Sequence, residues 1–133
     1  MVICYLGVGS NLGDRRKNIR LALGKINALK NTKVIKLSRI IETMPVGGPS
    51  GQSKFLNAAL KAETSIPAVI FLKKLKIIEK ELGREKSVRY GPRTIDLDIL
   101  FYGNKIIKTK NFKVPHSKIF QRDFVMKPLM EIL

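Results

Sequence analysis

The sequence predicts an α+β fold, and three observations predict it. Apolar residues recur at helical spacing in two stretches, strand-like runs flank both stretches, and Gly, Pro and Ser collect at the joints between them. Read in order, the runs are strand, helix, strand, strand, helix, strand. That is the ferredoxin-like βαββαβ core, an antiparallel sheet with helices packed on one face. A C-terminal hairpin and a short helix follow it.

Each element has a local cause. Residues 2–9, VICYLGVG, form an apolar run of strand length, closed by the tight turn SNLGD. Over residues 14–30, Ile19, Ala22, Leu23, Ile26 and Leu29 form a helical stripe behind Asp14, whose carboxylate suits an N-cap. Residues 33–43, KVIKLSRIIET, read as a second strand, MPVGGPSGQSK as a loop, and residues 55–63, FLNAALKAE, as a third strand. Ser65 and Pro67 open the second helix. Its stripe of Ala68, Phe71, Leu72, Leu75, Ile78 and Leu82 stops at Gly83, a residue that tolerates the left-handed turn after a helix. The polar stretch REKSVRYGP leads into a fourth strand within GPRTIDLDILFYG. Gly103 and Asn104 then signal a turn that folds KIIKTKNF back against this strand, and a helix over residues 122–132 ends the chain after Val114, Pro115 and His116.

Length and composition narrow the function. A chain of 133 residues holds one domain, 1–133, with a core but no separate cofactor domain. No apolar run approaches the roughly 20 residues of a membrane span, and MVICYLGVGSN lacks the features of a secretory signal. A soluble, cytoplasmic, monomeric protein with no membrane partner is expected. Cys4 is the lone cysteine, so neither an internal disulfide nor a cysteine zinc site is available, and burial is its expected role. Twenty-six Lys and Arg against ten Asp and Glu give a net charge of +16. Such charge attracts a phosphate polymer or a small polyanion, or merely keeps the surface solvated; by itself it does not choose.

Against that charge, the fourth strand carries Asp96 and Asp98. Aspartate is disfavoured in strands because its short polar side chain competes for backbone hydrogen bonds. Alternation puts Ile95, Leu97, Ile99 and Phe101 on one face and Thr94, Asp96, Asp98 and Leu100 on the other. Two residues along a strand rise by roughly 6–7 Å, so both carboxylates can converge on one ion. A solvated, ion-paired strand face is the alternative. Just upstream, Arg84, Lys86, Arg89 and Arg93 fall within ten residues. Guanidinium groups match phosphate oxygens, and magnesium is held by one or two carboxylates plus substrate phosphates, so cations beside paired acids divide that work. A solvated basic turn is again the alternative.

Other motifs are weaker. Gly7, Gly9 and Gly13 miss the dinucleotide spacing by one position, no phosphate-binding G-x-x-x-x-G-K-[ST] loop is present, and a tight strand-to-helix turn accounts for these glycines. His116 and Arg122 are candidate anion contacts, and no second histidine forms a catalytic dyad. Phe55, Tyr90 and Phe124 are core or loop anchors unless a flat heteroaromatic ligand needs faces to stack on; Asn57, with one donor and one acceptor group, would then read its polar edge.

Four blocks, YLGVGSNLGDR, ETMPVGGPSGQSKFLNA, GREKSVRYGPRTIDLDILFYGN and VPHSKIFQRDFVMKPLMEI, carry a resemblance over nearly the whole chain. The chain resembles the 6-hydroxymethyl-7,8-dihydropterin pyrophosphokinase family of folate biosynthesis. The resemblance implies transfer of diphosphate from ATP to the pterin hydroxymethyl group, with AMP released. It implies that Asp96 and Asp98 bind two magnesium ions, that Asp96 also meets the pterin hydroxyl, and that Arg84 and Arg93 are the catalytic arginines. Arg89, His116 and Arg122, with Lys86 in support, would contact the triphosphate, and Glu79 and Ile99 the adenosine. The pterin site would comprise Thr43, Val46, Gly47, Phe55, Asn57, Tyr90, Asp96 and Phe124, the ring lying between Phe55 and Phe124. The competing class is an RNA-binding module on the same architecture. It lacks the aromatic RNA-binding signature and presents aspartates where bases would stack, so no nucleic-acid partner is expected.

Overall fold

A computed structural model describes the chain apart from Val46 and residues 85–92. Strands β1 (Val2–Ser10), β2 (Thr32–Leu37), β3 (Ile41–Thr43), β4 (Phe55–Thr64) and β5 (Asp96–Tyr102) form one antiparallel sheet in the order β2-β4-β1-β5, with β3 continuing the β2 edge along β4. Helices α1 (Arg15–Asn27) and α2 (Ala68–Glu81) cross between strands, giving the expected βαββαβ core. After β5 come a two-stranded ribbon of β6 (Ile107–Lys108) and β7 (Lys113–Val114), a 3₁₀ turn at Ile119–Gln121, and α3 (Asp123–Ile132). Among the described residues no helix is long and apolar enough to cross a membrane.

Local signals placed the helices well. The Asp14 carboxylate accepts from Lys17 N at 3.1 Å and caps α1, and Gly83, at φ +87°, turns the chain out of α2. Helix α1 ends ahead of the apolar spacing, and Asn31, at φ +59°, turns the chain into β2.

The core lies between the sheet and α1/α2. Cys4, Leu6 and Val8 of β1, with Ile95, Leu97 and Ile99 beside them, meet Ile19, Ala22 and Ile26 of α1 and Phe71, Leu75 and Ile78 of α2. Cys4 is fully buried there, as expected, and burial pushes its thiol pKa up to about 12. On the opposite face, Ile119, Leu129 and Ile132 pack over Ala59 and Leu100. This second layer covers one end of the face and leaves the other open.

Three expectations need correction, each because a backbone irregularity outweighed periodicity. Residues 33–43 are two strands rather than one. Register against β4 slips between Val34 and Lys36 and again before Ile41, and between them the buried Ser38 bonds Ala59 with both N and Oγ. Residues 105–112 do not pair with β5. Their strand partner is β7, and the outer edge of β5 instead receives His116 N at Leu100 O, 3.0 Å away. Phe101 does not share a face with Ile95, Leu97 and Ile99. Tyr5 pairs with Phe101 and Leu6 with Ile99, so Leu100 is an extra bulged residue beyond which the two faces exchange. Phe101 therefore stands edge-on to Tyr5 on the open face, and Tyr102 takes its place in the core.

Ser38→Ala tests the first correction. Ser38 Oγ accepts from Ala59 N at 2.8 Å and donates to Arg39 O at 2.9 Å. Removing it strands a buried N–H, so urea unfolding should show a loss of about 1–3 kcal/mol; an unchanged midpoint would mean that Ser38 does not hold the break between β2 and β3.

Candidate active site

The open face of the sheet holds a cavity of about 450 Å³. Its floor is built from alternate residues of three strands: Gly7 and Gly9 of β1, Phe55, Asn57 and Ala59 of β4, and Asp96, Asp98 and Leu100 of β5. The glycines that failed as a nucleotide motif find their use here. A Cβ on Gly9 would lie 2.7 Å from Asn57 Oδ1, so only glycine lets that carboxamide lie against β1. Asn57 Nδ2 in turn donates to Thr43 Oγ1 at 2.6 Å, which orients the amide.

Asp96 sits among cations. Its Oδ1 accepts from Arg84 Nη1 at 3.0 Å and lies 3.5 Å from Arg93 Nη1. Arg93 is held by its backbone: its N donates to Asn11 Oδ1 at 2.8 Å and its O accepts from Asn11 N at 3.0 Å. The same Asn11 amide donates to Ser53 O at 3.2 Å. One buried asparagine thus ties the end of β1 to the 44–54 loop and to the approach to β5.

Asp98 is the more perturbed acid. Burial, then the neighbouring Asp96 charge, push its pKa up to about 7; Glu79 acts in the same direction, while Lys76 and Arg122 oppose. Two hard carboxylates on one strand face fit magnesium. Among the described residues no group of three His, Cys, Asp or Glu could hold a metal, so an ion here would complete its shell with water and phosphate oxygens, the arrangement magnesium favours.

His116 Nδ1 accepts from Lys118 N at 3.1 Å, so the neutral ring carries its proton on Nε2. Burial, then the nearby Arg122, hold its pKa below the usual histidine value, which makes it a neutral donor. The Arg122 guanidinium lies 5.5 Å over the Phe124 ring, a cation–π distance.

Of the residues named from sequence, the structure brings Thr43, Phe55, Asn57, Arg84, Arg93, Asp96, Asp98, His116, Arg122 and Phe124 to this one cavity. It does not bring all of them. Ile99 is buried in the helix-side core and does not line the cavity, and Gly47 lies in the exposed loop at φ +71°. Glu79 is buried between α2 and β5 and does not line the cavity. Val46, Lys86, Arg89 and Tyr90 lie outside the described residues. Sequence reasoning missed Asn11, hidden in a turn motif, and Lys76, which lines the cavity and donates to Leu97 O at 3.2 Å. Its spacing to Glu79, three residues on along α2, was the available signal.

An antiparallel sheet that presents two aspartates beneath arginines, with aromatic rings across the cavity, suits a transferase of phosphate groups. Residues 5–133 match the family model 7,8-dihydro-6-hydroxymethylpterin-pyrophosphokinase. A 2-amino-4-hydroxy-6-hydroxymethyldihydropteridine pyrophosphokinase of Bacillus subtilis is 43% identical over 98% of this chain and 77% of its own length, and one of Aquifex aeolicus is 43% identical over 99% and 81%. The folic acid synthesis protein fol1 of Pneumocystis carinii is 45% identical over 96% of this chain, which spans only 17% of that longer protein. A solved HPPK-DHPS in complex with substrates superimposes at a TM-score of 0.70, at 16% identity, over 98% of this chain and 40% of that one, and so shares the fold. The chain belongs to the 7,8-dihydro-6-hydroxymethylpterin-pyrophosphokinase family.

The Asp98 pKa yields a stability test. Because it is raised in the fold from 3.8 to about 7, folding favours the protonated acid: the contribution is fully present below about pH 4 and is lost as pH rises to about 7. In metal-free buffer Asp98→Asn should melt above the parent, with a gap that widens over that window and is level beyond it. A gap independent of pH would show that Asp98 is not strained by its charge.

Proposed function

We propose that this chain transfers the terminal diphosphate of ATP to the hydroxymethyl group of 6-hydroxymethyl-7,8-dihydropterin, giving AMP and the pterin diphosphate, a step of folate synthesis. Family membership gives the reaction class. The observation that carries the reading to these residues is the placement of Asp96 and Asp98 in one cavity with Arg84, Arg93, His116 and Arg122 around them and Phe55 and Phe124 within it.

The pterin ring lies between Phe55 and Phe124, with the Asn57 amide, oriented by Thr43, on its polar edge. Val46, Gly47 and Tyr90 complete that site. ATP enters along the outer edge of β5. Leu97 turns both its N–H and its C=O to that edge, where Glu79 and Lys76 hold them, and alternation gives Ile99 the same direction, so in this reading Ile99 meets the adenine through its backbone. Arg122, the Nε2–H of His116, Arg89 and Lys86 hold the triphosphate.

Asp96 accepts a hydrogen bond from the hydroxymethyl group, whose oxygen attacks the β-phosphorus and gives up its proton through that carboxylate to solvent; the bond between that phosphorus and the α–β bridging oxygen breaks, and AMP leaves with the oxygen. Magnesium on Asp96 and Asp98, two ions in this reading, would draw charge from the attacking and leaving oxygens. Arg84 and Arg93 stand beside Asp96, where they offset charge on the diphosphate as it moves. Positioning and charge do most of this work, so an enzyme with one histidine of lowered pKa suffices. In this reading the chain acts as a monomer, in the cytoplasm.

The reaction is tested with ATP, magnesium and the hydroxymethyl pterin, the nucleotides being separated by chromatography. AMP should form in step with pterin diphosphate, and Asp96→Ala or Asp98→Ala should reduce it below detection with the fold intact. ADP as the product, or near-normal turnover in both variants, refutes the assignment.

Gly9→Ala probes the pterin site. Displacing the Asn57 carboxamide costs an oriented hydrogen bond, so KM for the pterin should rise at least about tenfold while KM for ATP stays within about twofold. Equal effects on both substrates would remove Asn57 from the pterin edge.

A further inference from the structure

We infer that Glu79 is a positioning residue that anchors Arg84 beside Asp96, and not a contact for the nucleotide. The inference rests on the reaction proposed above and deepens it.

The Glu79 side chain is 4% exposed, and its Oε2 receives three donors: Arg84 Nη1 at 2.7 Å, Leu97 N at 2.8 Å and Lys76 Nζ at 3.3 Å. That is a complete explanation for a buried carboxylate, since burial is tolerated when charge and hydrogen bonds are both met. The three donors come from three places: the segment after α2, the edge of β5, and α2 itself. Glu79 therefore locks the helix to the strand that carries the aspartates.

Arg84 is tied twice to this residue. Its backbone N donates to Glu79 O at 3.0 Å, just past the Gly83 turn, and its Nη1 reaches the carboxylate. The same nitrogen lies 3.0 Å from Asp96 Oδ1, so it bridges two acids. Only one of the two can remain a constant partner. Asp96 faces the cavity and is assigned to ion and hydroxyl, whereas the buried Glu79 does not line the cavity. An arginine loses a long flexible side chain's freedom when it is fixed, and the Glu79 contact removes that freedom before ATP arrives.

The test is a double-mutant cycle between Glu79→Gln and Arg84→Ala, with AMP formation by the parent established first. Glutamine keeps the shape and can still accept from Leu97 N, so the melting midpoint should move little. Expected results are a fall in kcat of at least about tenfold, an ATP Kd by direct titration within about threefold of the parent, and less than about twofold further loss when Glu79→Gln is added to Arg84→Ala. In the parent, the Arg84 guanidinium should exchange its N–H protons more slowly than free arginine by ¹⁵N NMR, and the variant should lose that protection. ATP affinity falling in proportion to activity would make Glu79 a nucleotide contact, and multiplicative losses would separate it from Arg84; either overturns the proposal. Free exchange of the Arg84 protons in the parent overturns it without any variant. A parent that forms no AMP sinks the proposed reaction and this inference together, whereas a parent that does, matched by Glu79→Gln, sinks the inference alone.

Discussion

Two carboxylates one pleat apart on the same face of a strand repel each other, and the surroundings of β5 can be understood as the answer to that repulsion. Asp96 is matched by Arg84 and Arg93, and Asp98 by the more distant charges of Lys76 and Arg122. The match is incomplete by design of the site, since Asp98 keeps a raised pKa in the ligand-free protein. The remaining repulsion is relieved by binding a proton more tightly at Asp98. The cost is local destabilisation where chemistry is wanted, offset by the apolar core on the other side of the same strand.

Backbone irregularity shapes the rest of the site. The bulge at Leu100 exchanges the faces of β5, so one strand feeds the helix-side core with Leu97 and Ile99, places Leu100 and Phe101 under α3, and keeps both aspartates on the open face. The interruption at Ser38 lets the edge strand follow the curve of β4 down to Phe55 and Asn57. Gly7 and Gly9 clear the middle of the floor. A regular sheet with side chains at every position would have filled this cavity.

The fold was largely legible because its signals are local. The stripe in α2, the Asp14 cap and the turn at Gly83 each depend on residues a few positions apart. The misreadings have one origin. Periodicity assumes regular register, and the bulge at Leu100 and the break at Ser38 depart from register for reasons found across the chain, while the pairing of β6 with β7 is a local hairpin that periodicity does not mark. Within the site, Asp96 and Asp98 were conspicuous as acids where strands avoid them, and the neighbouring arginines by their density. Asn11 was invisible: its partners Ser53 and Arg93 are 42 and 82 residues away. The contacts of Glu79 with Arg84 and Leu97 were equally hidden, because a glutamate on a helix carries no mark of which element it will face.

By itself the sequence determined the order of elements, the residue types available to the site and, through four blocks of resemblance, the family and its chemistry. Those depend on short spacings and residue identity, which folding does not alter. Tertiary structure decided which carboxylate oxygen meets which guanidinium, that the cavity opens on the face away from α1 and α2, that Ile99 is buried in the core, and that Glu79 faces Arg84. Such choices follow from closing the chain on itself: a hydrogen bond is satisfied within a few tenths of an ångström and a limited range of angles, and only packing the whole sheet brings distant residues inside those limits.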